Sequence, residues 1–362
     1  MANITKRGNK WQARIDYYDD LGKRHFKSKS GFKTKKEAQL YFSQMTIDKR
    51  NGKLVKNESP LFSDYFWSWY ETYKVKTISE RTQKHYLHTF NVIKHYLPNV
   101  KLEDMTREKY QHFIDEYGSN HSKSTVFKIN SLIHACVKDA IYDEHLKKDF
   151  IQRTTLVYDK SKTWKVEYLN IDKMIKLVDY LINTRNVRYS SKYMILVAIY
   201  TGMRLGEIQG LMWKDIDFKN NMINVNRSWN ALSKKYIPTK TESSIRSIRV
   251  NSKIIDLLKE LAQNNNSEVF LNQIGSIPTS NAVNKVLRES LSKLGINRHG
   301  FHFHSLRHTH VAYLLYNHVD IYIISKRLGH SDIGTTTKKY SYLIDEYKNR
   351  SNDEIEHILN KI

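Results

Sequence analysis

Polar and apolar residues change their repeat twice along the chain. In "KWQARIDYY" the apolar Trp11, Ala13, Ile15 and Tyr17 alternate with polar neighbours, the repeat of a half-buried strand. "DDLG" at 19–22 supplies a turn, and "KRHFKSKS" reads as the returning strand. "TKKE" at 34–37 is a capping box, and behind it Ala38, Tyr41, Phe42 and Met45 share one helical face. These elements predict a small β-sheet-plus-helix domain over 1–55, followed by a linker in "NGKLVKNESP" at 51–60.

The repeat then becomes helical. Phe62, Tyr65, Phe66, Trp69 and Tyr73 fall on one face, "SERTQKHYLHTFNVIKHYL" is a second amphipathic segment, a third runs from Thr106 to Gly118, and "STVFKINSLIHACVKDAI" is a fourth. An all-α domain over 60–158 is expected, with its aromatic residues in the core and not on a base-stacking platform. From Asn170, a candidate N-cap with Asp172 in the first turn, helices alternate with one short β section at about 215 to 250. A third domain over 165–362 is therefore expected to be mixed, mainly α (α+β). Two or three domains suit a chain of 362 residues.

Charge narrows the partner. The chain carries 60 Lys+Arg against 37 Asp+Glu, a net +23, and its first 58 residues hold 15 Lys+Arg against 6 Asp+Glu. A surface this basic attracts phosphate polymers, so nucleic acid is the leading partner, against the plainer alternative of a generally basic protein encoded by an AT-rich genome. A basic sheet with a supporting helix can lie in a DNA major groove. Cys136 alone cannot form an internal disulfide or a thiolate zinc site. No signal-peptide pattern and no membrane-length apolar run is evident, so a soluble protein of a reducing cytoplasm, without membrane contact, is expected.

Four stretches of the third region could carry chemistry. In "YTGMRLGEIQGLMWKDID", Gly202 ends one helix and Leu205, Ile208, Leu211 and Met212 mark the apolar face of the next. That places Arg204 at a helix N-terminus, with Glu207 one turn on as either its orienting carboxylate or a surface ion-pair partner. In "SKKYIPTKTESSIRSIRV", two alternating strands flank a turn and put Lys240 at a hairpin tip, where it is either simply solvated or able to enter a groove. "HGFHFHSLRHTHVAYLL" holds five histidines between His299 and His310, and His304 and His308 have the i, i+4 spacing of zinc ligands. No HExxH pattern, cysteine or nearby acid completes a metal set, so an anion site built by His304 and Arg307 is the better expectation. In "VDIYIISKRLGHSDIGTTTKKYSYL", Asp320 is an N-cap, Ile321, Ile324 and Leu328 form an inner face, and Gly329 stops the helix so that His330 projects from a rigid point.

Two arginines, a lysine, two histidines and a tyrosine, without an acidic metal cluster or a glycine-rich phosphate loop, suit phosphoryl transfer by electrostatics and covalent catalysis. An arginine fork can grip two nonbridging oxygens. A tyrosine nucleophile, with a free pKa of ~10, needs cations or a base beside it.

In order and wording, "TGMRLGE", "PTKTESSIRSIRV", "HSLRH" and "LGHSDIGTTTKKYS" resemble the tyrosine recombinase (phage integrase) family, and the domain order resembles integrases of Gram-positive temperate phages and mobile elements. The resemblance implies an arm-site DNA-binding domain, a helical core-binding (SAM-like) domain and a catalytic domain. It implies that Arg204 and Arg307 clamp the scissile phosphate, Lys240 protonates the leaving 5′-oxygen, His304 is the acid/base partner of the nucleophile, and His330 contacts the phosphate. Tyr340 would be the nucleophile, forming a 3′-phosphotyrosine, with Glu207 supporting the first arginine. Neither metal nor ATP is implied. The implied partners are double-stranded DNA with core and arm sites, three further protomers in a homotetramer, and an excisionase and a host DNA-bending protein as accessories. Two features depart from the family pattern: ten residues separate His330 from Tyr340 where some members have nine, and Tyr342 offers a second phenol. Type IB topoisomerase-like relaxation and a non-catalytic DNA-binding regulator are the alternatives. The last segment, "SNDEIEHILNKI", reads as a capped helix with an apolar stripe of Ile355, Ile358, Leu359 and Ile362, able to dock on its own domain or on a neighbour.

Overall fold

A computed structural model gives the fold, and it describes residues 3–18, 22–50, 59–162, 166–239, 241–262, 266–298, 300–341, 356, 357 and 359–361. The chain forms two compact units, Met1–Thr163 and Trp164–Ile362.

In the first unit, β1 (Ile4–Arg7), β2 (Lys10–Tyr18) and β3 (Arg24–Phe32) make an antiparallel sheet in that order, followed by helix α1 (Lys35–Arg50). The alternation in β2 does what its pattern predicts: Ile15 and Tyr17 pack with Tyr41, Phe42 and Met45 of α1. Thr34 Oγ1 accepts from the Glu37 N–H at 3.2 Å, while the Glu37 carboxylate caps the Lys33 N–H at 3.0 Å. Strand β1, "ITKR", has no apolar alternation and was not legible; it is held by backbone pairing to β2.

The four helical segments are α2 (Phe62–Tyr73), α3 (Glu80–Tyr96), α4 (Arg107–Ser119) and α5 (Lys123–Tyr142). Ser79 and Thr106 side chains cap α3 and α4. Phe62, Phe66, Tyr110 and Tyr117 lie in the bundle core, while Tyr73, at the end of α2, is exposed. Burying these aromatics stabilises the bundle by about 25 cal/mol per Å² of apolar surface removed from water. Trp69 keeps its indole N–H satisfied on Asp139, at 2.7 Å.

The second unit runs α6 (Ile171–Thr184), α7 (Ser191–Thr201), α8 (Leu205–Gln209), β4 (Ile216–Asp217), β5 (Met222–Val225), β6 (Arg227–Asn230), β7 (Lys235–Pro238), β8 (Arg246–Arg249), α9 (Ser252–Lys259), α10 (Ser280–Lys293), α11 (Phe303–Tyr316) and α12 (Ile321–Leu328). Asn170 caps α6 through the Lys173 N–H, at 3.1 Å. Helix α7, apolar almost all round, is the central rod, packed by α6, α8, α9, α10 and α11. A small sheet with the helical bundle, then an α-rich domain with a short β section, is the fold class that the periodicity predicts.

One local expectation fails. The strands flanking position 240 are not partners: β7 pairs back onto β6, whereas β8 pairs with β5 in a separate sheet of order β4-β5-β8. Alternation reveals that a strand has an inner face, but not which neighbour it takes. Lys240 itself lies outside the described residues, as do Tyr342 and most of the final segment, including Ser351, Glu354, Ile355, Ile358 and Ile362; Leu359 is exposed. No helix of the described residues is long and apolar enough to cross a membrane.

Candidate active site

Two glycine stops build this site. Gly202 ends α7 at φ 67°, and a Cβ there would meet His310 Cδ2 at 2.7 Å and Leu328 Cδ2 at 2.9 Å. Gly329 ends α12 at φ 70°, where a Cβ would press on the Ser244 backbone at 3.0 Å. Both positions need a left-handed residue without a side chain, and each turns the chain so that the next functional group, Arg204 or His330, leaves a fixed point.

Arg204 is the N-cap of α8. Glu207 Oε2 accepts from the Arg204 backbone N–H and from Arg246 Nη2, both at 2.9 Å, and Oε1 accepts from Arg204 Nη1 at 2.7 Å. Glu207 is 3% exposed. Burial alone would push its carboxyl up, but Arg246 and Arg204 hold it below the ordinary value, so it stays charged. The Arg204–Glu207 pair is therefore no surface bridge. Its carboxylate is buried, while the Arg204 side chain keeps 37% of its surface open.

Arg307, 2% exposed, donates through Nη1 to Gly202 O and through Nη2 to Leu328 O, both at 2.7 Å. The same Nη2 lies 3.0 Å from His330 Nε2. A guanidinium can only donate, so His330 Nε2 accepts, its proton sits on Nδ1, and Nδ1–H donates to Thr336 Oγ1 at 2.6 Å. Burial, then the Arg307 charge, pushes His330 down to about 4, in keeping with that neutral tautomer.

The phenol of Tyr340 is buried, 1% exposed, with its oxygen 2.7 Å from His308 Nδ1. It is near enough to Arg307 for the two to interact electrostatically. His304 stands edge-on to His308, ring centroids 4.9 Å apart. Burial and the Lys339 charge bring His304 down to about 4 and His308 to about 3. Arg246 donates through Nε to Arg327 O at 2.7 Å. Arg327 in turn donates to Arg249 O and Tyr200 O, both at 3.0 Å, and to His310 Nε2 at 3.1 Å, tying α7, β8, α11 and α12 together.

Of the sequence-derived candidates, Arg204, Glu207, His304, Arg307, His330 and Tyr340 thus come to one place. His308, Thr336, Arg246, Arg327 and Lys339 join them without having been singled out as site residues. Arg307 and Arg327 have carbonyl and imidazole acceptors instead of carboxylates, and Glu207 is the carboxylate bonded to this group. Burial, with Arg307 and Arg204, also holds Lys339 below its ordinary value. Among the described residues, this much positive charge against one bonded carboxylate is a preorganised field for an oxyanion.

The neutral histidines have a consequence for stability. His304, His308 and His330, held at about 4, 3 and 4, bind protons in the unfolded chain near pH 6.5 but not in the fold until well below that. Unfolding therefore takes up protons across that window, and stability present above pH 6.5 is lost as pH falls toward about 4. Calorimetric melting of the DNA-free protein between pH 7.5 and 4.5 should show a falling Tm with proton uptake; a flat Tm would contradict the buried neutral state.

The Phage integrase family profile matches residues 167–346, an Arm DNA-binding domain profile matches 3–49, and a Phage integrase N-terminal SAM-like domain profile matches 61–117. The integrase of Staphylococcus phage L54a is 26% identical over 299 residues, covering 74% of this chain and 84% of that protein. The Tn1549 transposon integrase bound to a circular intermediate DNA shares the fold at TM-score 0.68 and 17% identity, over 77% of this chain and 95% of that one. A lambda integrase tetramer bound to a Holliday junction shares it at TM-score 0.59 and 17% identity, over 91% and 96%.

Proposed function

We propose roles for the residues of this site from the premise that the chain belongs to the phage integrase family of tyrosine recombinases. As a tyrosine recombinase it is an enzyme that cuts and rejoins DNA at specific sites through a 3′-phosphotyrosine. The observation that carries the assignment is that Arg307 meets both Gly202 O, two residues before Arg204, and His330 Nε2, while the buried Glu207 carboxylate holds Arg204.

In this reading the Tyr340 oxygen attacks the phosphorus in line. A P–O bond to tyrosine forms, the P–O5′ bond breaks, and the 5′-oxygen leaves as a hydroxyl after taking a proton. Arg204 and Arg307 hold the two nonbridging oxygens as negative charge gathers on them. Arg307 is fixed by Gly202 O and Leu328 O and Arg204 by Glu207, so neither must reorganise as charge develops. His330, neutral and oriented by Thr336, is the second phosphate contact. His304 is assigned as the acid/base partner of the nucleophile and Lys240 as the donor to the 5′-oxygen, roles that rest on their places in the family motif. Attack by another 5′-hydroxyl reverses the sequence and joins the new strand, conserving the bond energy in the phosphotyrosine.

We assign residues 1–55 to arm-site recognition, 60–158 to core-site binding and 165–362 to catalysis. The three profile matches and the separate apolar clusters of the small sheet, the bundle and the α-rich unit support that division. The DNA-bound relatives support double-stranded DNA as substrate, and the lambda tetramer supports four protomers acting on two paired sites. Integration and excision of a mobile element in a bacterial cytoplasm, helped by an excisionase and a host bending protein, complete the proposal.

The test is a nicked duplex carrying the end of the element next to the gene, incubated with the full chain in EDTA. A covalent adduct that survives denaturation is expected without metal or nucleotide; its complete absence would favour a non-catalytic regulator.

A further inference from the structure

We infer that Arg327, together with His310, is a positioning residue for DNA cleavage: it locks the last turn of α12 to the last turn of α7 and so sets the spacing of the phosphate-gripping groups that follow those turns, His330 and Arg204. The inference rests on the roles proposed for Arg204, Arg307 and His330 and adds two residues that those roles do not include.

Helix ends leave carbonyls without partners and point partial negative charge outward. Here two such ends meet. At the end of α7, Ile199 O accepts from His310 Nδ1 at 2.8 Å, Tyr200 O from Arg327 Nη2 at 3.0 Å and Gly202 O from Arg307 Nη1 at 2.7 Å. At the end of α12, Leu328 O accepts from Arg307 Nη2 and Arg327 O from Arg246 Nε, both at 2.7 Å. Arg307 and Arg327 therefore both join the two ends. Arg307 does so beside His330, whereas Arg327 starts from α12 itself and also reaches Arg249 O at the end of β8, at 3.0 Å, and His310 Nε2, at 3.1 Å. With a donor-only guanidinium on Nε2, His310 carries its proton on Nδ1, and burial with the Arg327 charge holds it neutral, down to about 3. His310 thus extends the hold of Arg327 to a second carbonyl of the same turn.

The junction has no slack. A Cβ at Gly202 would meet both His310 and Leu328 closer than 3.0 Å. Arg204 follows Gly202 by two residues, and His330 follows Arg327 by three. A shift of one helix end against the other would carry His330 away from Arg307 Nη2, which lies 3.0 Å from its Nε2. A displacement of about 1 Å can slow a reaction roughly 10²-fold even when its cause is remote from the chemistry. The Arg327 bonds run to backbone carbonyls and to His310, so it acts through the other residues and not on the phosphate. Its planar fork serves several acceptors at fixed angles, which neither an ammonium nor an apolar chain reproduces.

The experiment uses the full chain and the nicked duplex, at a temperature well below the melting transition of each variant. Arg327→Met, which keeps length without donors, should lower the single-turnover adduct rate at saturating DNA about 10²-fold. The DNA concentration giving half that rate should stay within about twofold, because binding draws on many phosphates. His310→Leu should act in the same direction. His310→Gln, whose carboxamide can accept from Arg327 and donate to Ile199 O, should recover most of the rate. A residue that serves stability alone lowers Tm without slowing the folded protein, so an unchanged saturating rate in Arg327→Met would overturn the inference. Equal rates in His310→Leu and His310→Gln would do the same.

A second measurement needs no catalysis. Isotope labelling of the histidine ring nitrogens in the DNA-free protein shows by NMR which nitrogen carries each proton, with signals assigned by their loss in His330→Gln and His134→Gln. His330 should show the Nδ1–H form, and Arg327→Met should shift or broaden its signals. His134, bonded to Asp149 at 2.7 Å in the first unit, should stay unchanged as the reference. An unmoved His330 signature would overturn the inference, and so would movement at His134 as well, a sign of general loosening. Failure of the unsubstituted protein to form any adduct would defeat the proposed function itself, and the ring spectrum would still decide whether Arg327 sets the place of His330.

Discussion

Arg307→Lys is expected to slow single-turnover DNA cleavage by about 10² to 10³, the usual loss when one donor to a transition-state oxyanion is removed. Charge is retained, so the effect isolates geometry. The Arg307 guanidinium donates in two directions, to Gly202 O and Leu328 O, while its Nη2 also meets His330 Nε2. A lysine ammonium is a compact point charge and cannot reproduce that planar fork. His330 would then lose the donor that fixes its tautomer. DNA affinity should change little, because binding is spread over a chain with a net charge of +23 and draws on many phosphates. Measuring adduct rate and equilibrium binding on the same duplex checks this. A comparable loss in both would mean that Arg307 serves binding and not the reacting phosphate.

Glu207→Ala is expected to destabilise the second unit by about 3 to 5 kcal/mol, the range found when one member of a buried ion pair is removed. The carboxylate is 3% exposed and serves Arg204 and Arg246 together, and the Arg246 side chain is itself nearly buried. Deleting it leaves Arg246 charged and without its carboxylate in a low-dielectric setting, and frees Arg204 to move. Urea unfolding of the full chain, followed by the transition of this unit, reads the first effect. Glu207→Met combined with Arg246→Met removes both charges and should recover much of the stability without recovering cleavage. A loss below about 1 kcal/mol for Glu207→Ala would place this carboxylate among solvent-screened surface pairs.

How far the site was legible depended on whether a residue acts through a local pattern or through a distant partner. Gly202 and Gly329 announce themselves by ending apolar helical faces, so Arg204 and His330 could be placed from sequence. The first half of α11 is buried on nearly all sides, because Arg307, His308 and His310 find polar partners inside the fold. His308 was noticed as half of an i, i+4 histidine pair, yet nothing in its own stretch indicates that a phenol 32 residues further on reaches its Nδ1. Arg246 carried a usable signal. It shares the inner face of β8 with Ile248, and a charged residue at an inward strand position calls for a buried opposite charge, which Glu207 supplies. Arg327 lacked any such sign, since its three acceptors come from residues near 200, 249 and 310. The partner of β8 was lost for the same reason: strand alternation is local, and pairing is not.

The account stands or falls on which oxygen carries the DNA. After a nicked duplex bearing the element end is trapped on the full chain, nuclease digestion leaves a short nucleotide remnant that marks the attached tyrosine in a peptide mass spectrum. The expected attachment is at Tyr340, with the adduct gone in Tyr340→Phe and retained in Tyr342→Phe. A remnant on Tyr342, or an adduct that persists in Tyr340→Phe, would contradict the site described here.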